Sequence, residues 1–133
     1  MTDRRPRRRL QPRAWQPLAV VIGVVLAVGG CGDDDRDLQA FGDAANGREL
    51  FVDYGCASCH QVSGVRQAVG RVGPNLDDFA TQRIIAGVLP NTPGHLAAWI
   101  QDPAEYAPNT GMPDVGVTPP DAADISAFLL EGG

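Results

Sequence analysis

Cys56-Ala57-Ser58-Cys59-His60 is the stretch of this 133-residue chain whose residue types and spacing point most directly to chemistry. Two thiols three residues apart can each add to one of the two vinyl groups of a single haem. A histidine next to the second thiol is then held beneath the iron, where an imidazole nitrogen can ligate. Three other uses compete for the pair. A thioredoxin-like redox pair wants a βαβ setting, which this sequence does not offer. Half of a zinc site needs two further Cys or His ligands, and only Cys31 and His95 remain. A disulfide between the two would close an unusually tight loop. The haem reading is favoured by its setting: the motif follows a capped helix on a chain that begins like an exported one, with a further iron ligand downstream.

Met112 is the candidate for the second axial position. The only other methionine is the initiator, and Met112 lies in a proline-rich loop, Pro108-Asn109-Thr110-Gly111-Met112-Pro113. A methionine that fills a core usually sits on an apolar helical stripe instead. Pro113 stiffens the backbone beside it. A thioether favours ferrous over ferric iron and so raises the reduction potential. His95 is the rival ligand. It is expected in the first turn of a helix beside Pro93 and Gly94, where an isolated histidine without ligand spacing reads as an exposed surface residue. Gly73-Pro74-Asn75-Leu76 follows the thiol motif, and the Pro74 carbonyl there can accept a hydrogen bond from the other His60 ring nitrogen, orienting the ring.

Short helices separated by Gly/Pro-rich loops must position these groups. A first helix is expected from Asp43, its N-cap, through Leu50 and Phe51 to about Tyr54, ending at Gly55. A second, short helix is expected over about 78–86, with Ile84 and Ile85 inward and Gly87 as its stop. A third follows Thr92 as cap and Pro93 at the first helical position, with Leu96, Trp99 and Ile100 on its apolar face and Pro103 beyond it. In the last, Thr118-Pro119-Pro120-Asp121 fits a capping box and Ala122, Ile125, Phe128 and Leu129 form one stripe. With so few large apolar side chains, a domain of this size is marginal alone. A large apolar disc such as haem would complete its core.

Charge divides the chain. Residues 1–30 hold six arginines against one acid, and from Cys31 onward five arginines face fifteen acids. The acidic body argues against nucleic-acid binding and suits a partner with a basic docking patch. Arginines, then the uncharged run Leu18 to Gly30, then small residues before Cys31 follow the order of a secretory signal. As a helix that run spans about 20 Å, short of a bilayer core of roughly 30 Å. Val28-Gly29-Gly30-Cys31 resembles a bacterial lipobox, with Cys31 lipidated and made the new N-terminus; an uncleaved anchor is the alternative. The expected organisation is a signal over 1–30, an acidic tether over 31–42 and one domain over 43–133. The protein is then expected on the extracytoplasmic, periplasmic side, attached to the membrane.

The features assembled here resemble the class I cytochromes c over nearly all of residues 43–133. They are Gly47 and Phe51, the Cys56–His60 motif, Gly73-Pro74-Asn75-Leu76, Met112-Pro113 and Phe128. The resemblance implies an all-α fold of about four short helices around one covalently bound haem c. It also implies that the first and last helices cross at right angles, with Gly47 allowing close approach and Phe51 and Phe128 packed at the crossing. A narrower likeness lies in Gly70 to Leu76, Ile85 to Pro93 and Leu96 to Pro103. These segments look like the cytochrome c domain fused to subunit II of caa-type oxidases. That likeness makes Arg83 and Trp99 candidates to hydrogen-bond haem propionates, the alternatives being a solvated arginine and an ordinary core tryptophan. The copper-binding domain of those subunits is missing, so the likeness implies a free-standing, lipid-tethered version. The function expected is one-electron transfer, not enzymatic catalysis, with redox partners in a membrane respiratory complex such as a terminal oxidase. A haem enzyme or sensor of peroxidase type, with a displaceable sixth ligand, is the other reading.

Overall fold

Asp43 starts the first helix by supplying what its end lacks. In the computed structural model, which describes residues 41–132, the Asp43 carboxylate accepts from the backbone N–H groups of Ala45 (2.9 Å) and Asn46 (3.2 Å). Two of the four donors that a helix leaves unpaired are thereby satisfied. Helix α1 runs Ala44–Asp53 and buries Gly47 and Phe51. The export signal, Cys31 and all but the last two residues of the expected tether lie outside the described residues.

Among the described residues the other helices are α2 (Pro93–Gln101), α3 (Pro103–Tyr106) and α4 (Pro119–Leu130). Three-residue 3₁₀ turns occupy Cys56–Ser58 and Phe79–Thr81, and a small hairpin pairs β1 (Ile84–Ile85) with β2 (Leu89–Pro90). Among the described residues no helix is long and apolar enough to cross a membrane.

Helices α1 and α4 make the central contact. A β-carbon on Gly47 would overlap the Asp124 carbonyl, so the two backbones meet with no side chain between them. Beside this point the rings of Phe51 and Phe128 pack edge to face, 5.8 Å between centroids and 63° between planes. The Asp124 carboxylate accepts from Asp43 N and from Asn46 Nδ2, each at 2.7 Å. A negative group is thus held at the positive end of α1. Ala122, Ile125, Phe128 and Leu129 are all buried, and Leu96, Trp99 and Ile100 of α2 join them in one core.

Two local expectations are corrected. Residues 78–86 do not form a helix. After the turn at Phe79–Thr81 the chain extends, burying Ile85 (1 % exposed) and leaving Ile84 half exposed, the alternation of a strand. Ala86 (φ +49°) and Gly87 (φ +78°) both take left-handed conformations, and Val88 N donates to the Ile85 carbonyl at 2.9 Å. Two positive φ values in succession make the turn that suits a right-twisted hairpin, so Gly87 reverses the chain rather than ending a helix. At α4, the Thr118 hydroxyl does not cap the backbone. The hydroxyl donates instead to Asp121 Oδ2 at 2.8 Å. Helix α3, not expected, begins where Asp102 accepts from Glu105 N at 3.0 Å.

Candidate functional site

The thiol motif is wound into one tight turn. Ser58 N donates to the Gly55 carbonyl at 3.0 Å, while Cys59 N and His60 N both donate to the Cys56 carbonyl at 3.1 and 2.9 Å. Side chains three residues apart on a 3₁₀ turn eclipse one another, so Cys56 and Cys59 project to the same side. Both are free thiols of intermediate exposure, and burial pushes the Cys56 thiol above its usual range. A pair of thiols sharing one side fits addition to two vinyl groups of one ring.

The loop after the motif folds back and is bonded to it along its length. Gly70 N donates to the Ala57 carbonyl (3.2 Å), and Val72 N and Gly73 N donate to the Cys59 carbonyl (3.1 and 2.9 Å). This return brings Pro74 to His60: its carbonyl oxygen lies 2.8 Å from His60 Nδ1. A carbonyl can only accept, so Nδ1 carries the proton and Nε2 is left as the nitrogen that can ligate a metal. Gly73 packs directly on the ring, and a β-carbon there would overlap Cε1 and lie 2.7 Å from Nδ1. Ring orientation is therefore set from two sides. This is the donor set and the second contact that a haem iron needs from its histidine, and the residues fit the group.

Met112 is half buried and packs against the core. Its backbone N–H donates to Thr110 Oγ1 at 3.2 Å, which shapes the loop. Its Sδ accepts from the indole N–H of Trp99 at 3.1 Å. Trp99 itself is buried on α2, so its polar edge is spent on this sulfur. Arg83 is exposed, beyond the turn at Phe79–Thr81. His95 is exposed too, with Nδ1 2.9 Å from the hydroxyl of Thr92, the residue that caps α2. The structure thus joins Cys56, Cys59, His60 and Pro74 in one unit and Trp99 with Met112 in another, while Arg83 bonds to neither through its side chain.

Two supports escaped the sequence reading. Asp77 accepts from Ser63 N and from Asn75 Nδ2 (3.0 Å), tying the two ends of the 63–77 loop. The Asn75 amide and the Ser63 backbone hold its carboxyl below the usual range. Tyr54, just before the motif, donates from its hydroxyl to Asp121 Oδ2 at 2.6 Å and so links the end of α1 to the start of α4. Asn-Leu-Asp after a proline is a turn signature that could have marked the first. Nothing in the local pattern marks the second, whose partners are 67 residues apart.

Comparison with known proteins gives a consistent picture. A family model for cytochrome c matches residues 44–132. Cytochrome c oxidase subunit 2 of Alkalihalophilus pseudofirmus is 37 % identical over 70 residues, 53 % of this chain and 20 % of the relative. The subunit of the same name from Bacillus subtilis is 35 % identical over 71 residues, 52 % of this chain and 20 % of its own length. That from Bacillus sp. strain PS3 is 35 % identical over 66 residues, 48 % of this chain and 18 % of its own. The chain spans about a fifth of the length of these relatives.

Proposed function

This chain belongs to the cytochrome c family, and on that premise we propose that it is a membrane-tethered, mono-haem electron carrier of a respiratory chain, exchanging electrons with a terminal oxidase. Covalently bound haem c supplies the one-electron couple of its iron. Cys56 and Cys59 would hold the ring by thioether bonds, which would keep the cofactor from being lost outside the cell. His60 Nε2 and Met112 Sδ would be the protein's ligands to its iron. The Pro74 carbonyl keeps the His60 proton on Nδ1 and makes the ring a stronger donor.

The observation that carries this reading is His60 held between Gly73 and the Pro74 carbonyl, on the same turn as the two thiols. No acid, base or nucleophile is required of the chain. With His60 and Met112 both as ligands, the coordination would stay the same in both oxidation states and reorganisation would be small. Among residues 41–132 four arginines face eleven acids, so a partner with basic surface is steered toward this one, more weakly as salt rises. The relatives carry the name of an oxidase subunit, which supports an oxidase as partner. A lipid on Cys31, with residues 31–42 as a tether, would hold the domain at the extracytoplasmic face.

The test is the absorbance of the full chain matured in a host that attaches haem c. A pyridine haemochrome of one haem c per chain and the weak far-red band of iron–methionine ligation are expected. Reduction by respiratory complexes should slow as salt is added. A colourless protein, or a five-coordinate high-spin spectrum, would overturn the assignment.

A further inference from the structure

The last two residues of the expected tether are not free chain. Phe41 is partly buried against the core. Gly42 lies on the backbone of α4, where a β-carbon would sit 2.5 Å from the Ala123 carbonyl oxygen. Asp43 N then donates to Asp124 Oδ1 at 2.7 Å. With Gly47 against the Asp124 carbonyl on the other side, the chain wraps α4 at residues 123–124 before α1 is under way. The free stretch between the membrane segment and the domain therefore ends at Ala40.

That end point sets a length. Residues 31–40 span at most about 36 Å, even fully extended. Helix α1, ten residues from Ala44 to Asp53, adds about 15 Å and carries the thiol turn at its far end. Together with the short connections, the haem-holding turn stays within roughly 60–70 Å of residue 31. This is about twice the width of a domain of this size. The bound is the same for a lipid on Cys31 and for an uncleaved segment ending before it. We infer that the redox partner stands in the same membrane that anchors this chain, with its electron-exchanging centre inside that shallow layer, and that Phe41–Asp43 are the strap that fixes the layer's depth. Confinement raises the local concentration at such a partner without any added contact. The inference rests on the reading of this chain as a membrane-tethered carrier.

The experiment uses the full-length holoprotein and purified terminal oxidase in vesicles of phosphatidylethanolamine and phosphatidylglycerol, in shared vesicles or in separate ones at equal total amounts. The cytochrome is reduced without oxygen, oxygen is admitted, and loss of the reduced absorbance is followed. Each ferrous haem iron gives one electron to the oxidase, becomes ferric, and the oxidase passes the electron to oxygen. Shared vesicles should oxidise it at least tenfold faster, at a rate unchanged when the vesicles are diluted. The rate with separate vesicles should fall in proportion to dilution. Equal rates in the two arrangements, with the cytochrome floating with the vesicles in a density gradient, would overturn the inference. A cytochrome left in solution would overturn the tether reading first, and no oxidation in either arrangement would overturn both. Six Gly/Ser residues inserted between Ala40 and Phe41 should leave the thermal midpoint unchanged. The same insert between Gly42 and Asp43 should lower it by about 5 °C, since it frees the strap from α4. Equal midpoints in the two insertion variants would show that the free stretch does not end at Ala40.

Discussion

The carbonyl of Asp124 occupies the space that any side chain at position 47 would need. Backbone meets backbone at the α1–α4 crossing, and the overlap cannot be relieved by rotating a flexible side chain. Gly47→Ala is therefore expected to force the helices apart, costing about 3 kcal/mol as overpacking does and separating Phe51 from Phe128. Thermal unfolding of the holoprotein should show a midpoint lowered by more than 10 °C, given roughly 4–8 °C per kcal/mol for a domain of this size. An unchanged midpoint would show that the crossing is looser than described.

Gly73 stands in the same relation to His60. A β-carbon there would strike the ring, so Gly73→Ala should tilt the imidazole away from the Pro74 carbonyl. The expected result is a smaller low-spin fraction in the absorbance and electron paramagnetic resonance spectra, with covalent haem retained. Spectra identical to wild type would mean that His60 does not depend on this packing.

Met112→Ala removes the thioether and should lower the reduction potential while opening the iron to carbon monoxide. His95→Ala should do neither, since that side chain lies exposed beside its own helix cap. Redox titration and carbon monoxide difference spectra of the two variants decide between them. If only the His95 change altered ligation, the assignment of Met112 would be wrong.

Ala86 bears a left-handed backbone at φ +49°, a conformation that costs an L-residue about 1–2 kcal/mol. Ala86→Asn would create Asn-Gly, the pair that such hairpin turns favour. It should stabilise the domain by about 0.5–1 kcal/mol, read as a rise in the thermal midpoint. A fall would contradict the turn conformation.

Tyr54 and Thr118 both donate to Asp121 and hold its carboxyl below the usual range, Tyr54 having the larger effect. A depressed carboxyl contributes stability that is present above its unfolded value of about 4 and is lost as pH falls through its folded value. Asp121 in turn raises the Tyr54 hydroxyl, a contribution present below about pH 10 and lost as pH rises past it. The stability difference between wild type and Tyr54→Phe should therefore be flat near neutrality and close at both extremes. Urea unfolding from pH 3 to pH 11 measures it. A gap that stayed constant through pH 3–4 would exclude the carboxylate as its source.

The residues proposed to hold the haem were legible because they are neighbours in the chain. Cys56, Cys59 and His60 fall within one turn, and the 3₁₀ winding of that turn puts the sulfurs on one side. Helices α1, α2 and α4 were legible from their caps and stripes: Asp43, Thr92, and the run from Ala122 to Leu129. The stretch 78–86 misled, because Ile-Ile-Ala-Gly has the residues of either a helix end or a hairpin. Only the burial of Ile85 beneath the core, with Ile84 left outside, decided for the strand. The contacts between Trp99 and Met112, Tyr54 and Asp121, and Gly47 and Asp124 were decided by tertiary structure alone. Each joins groups 13 to 77 residues apart. Local spacing determines which groups share a turn. Which turns meet depends on how the whole set of apolar faces closes into one core, and no short stretch of sequence carries that information.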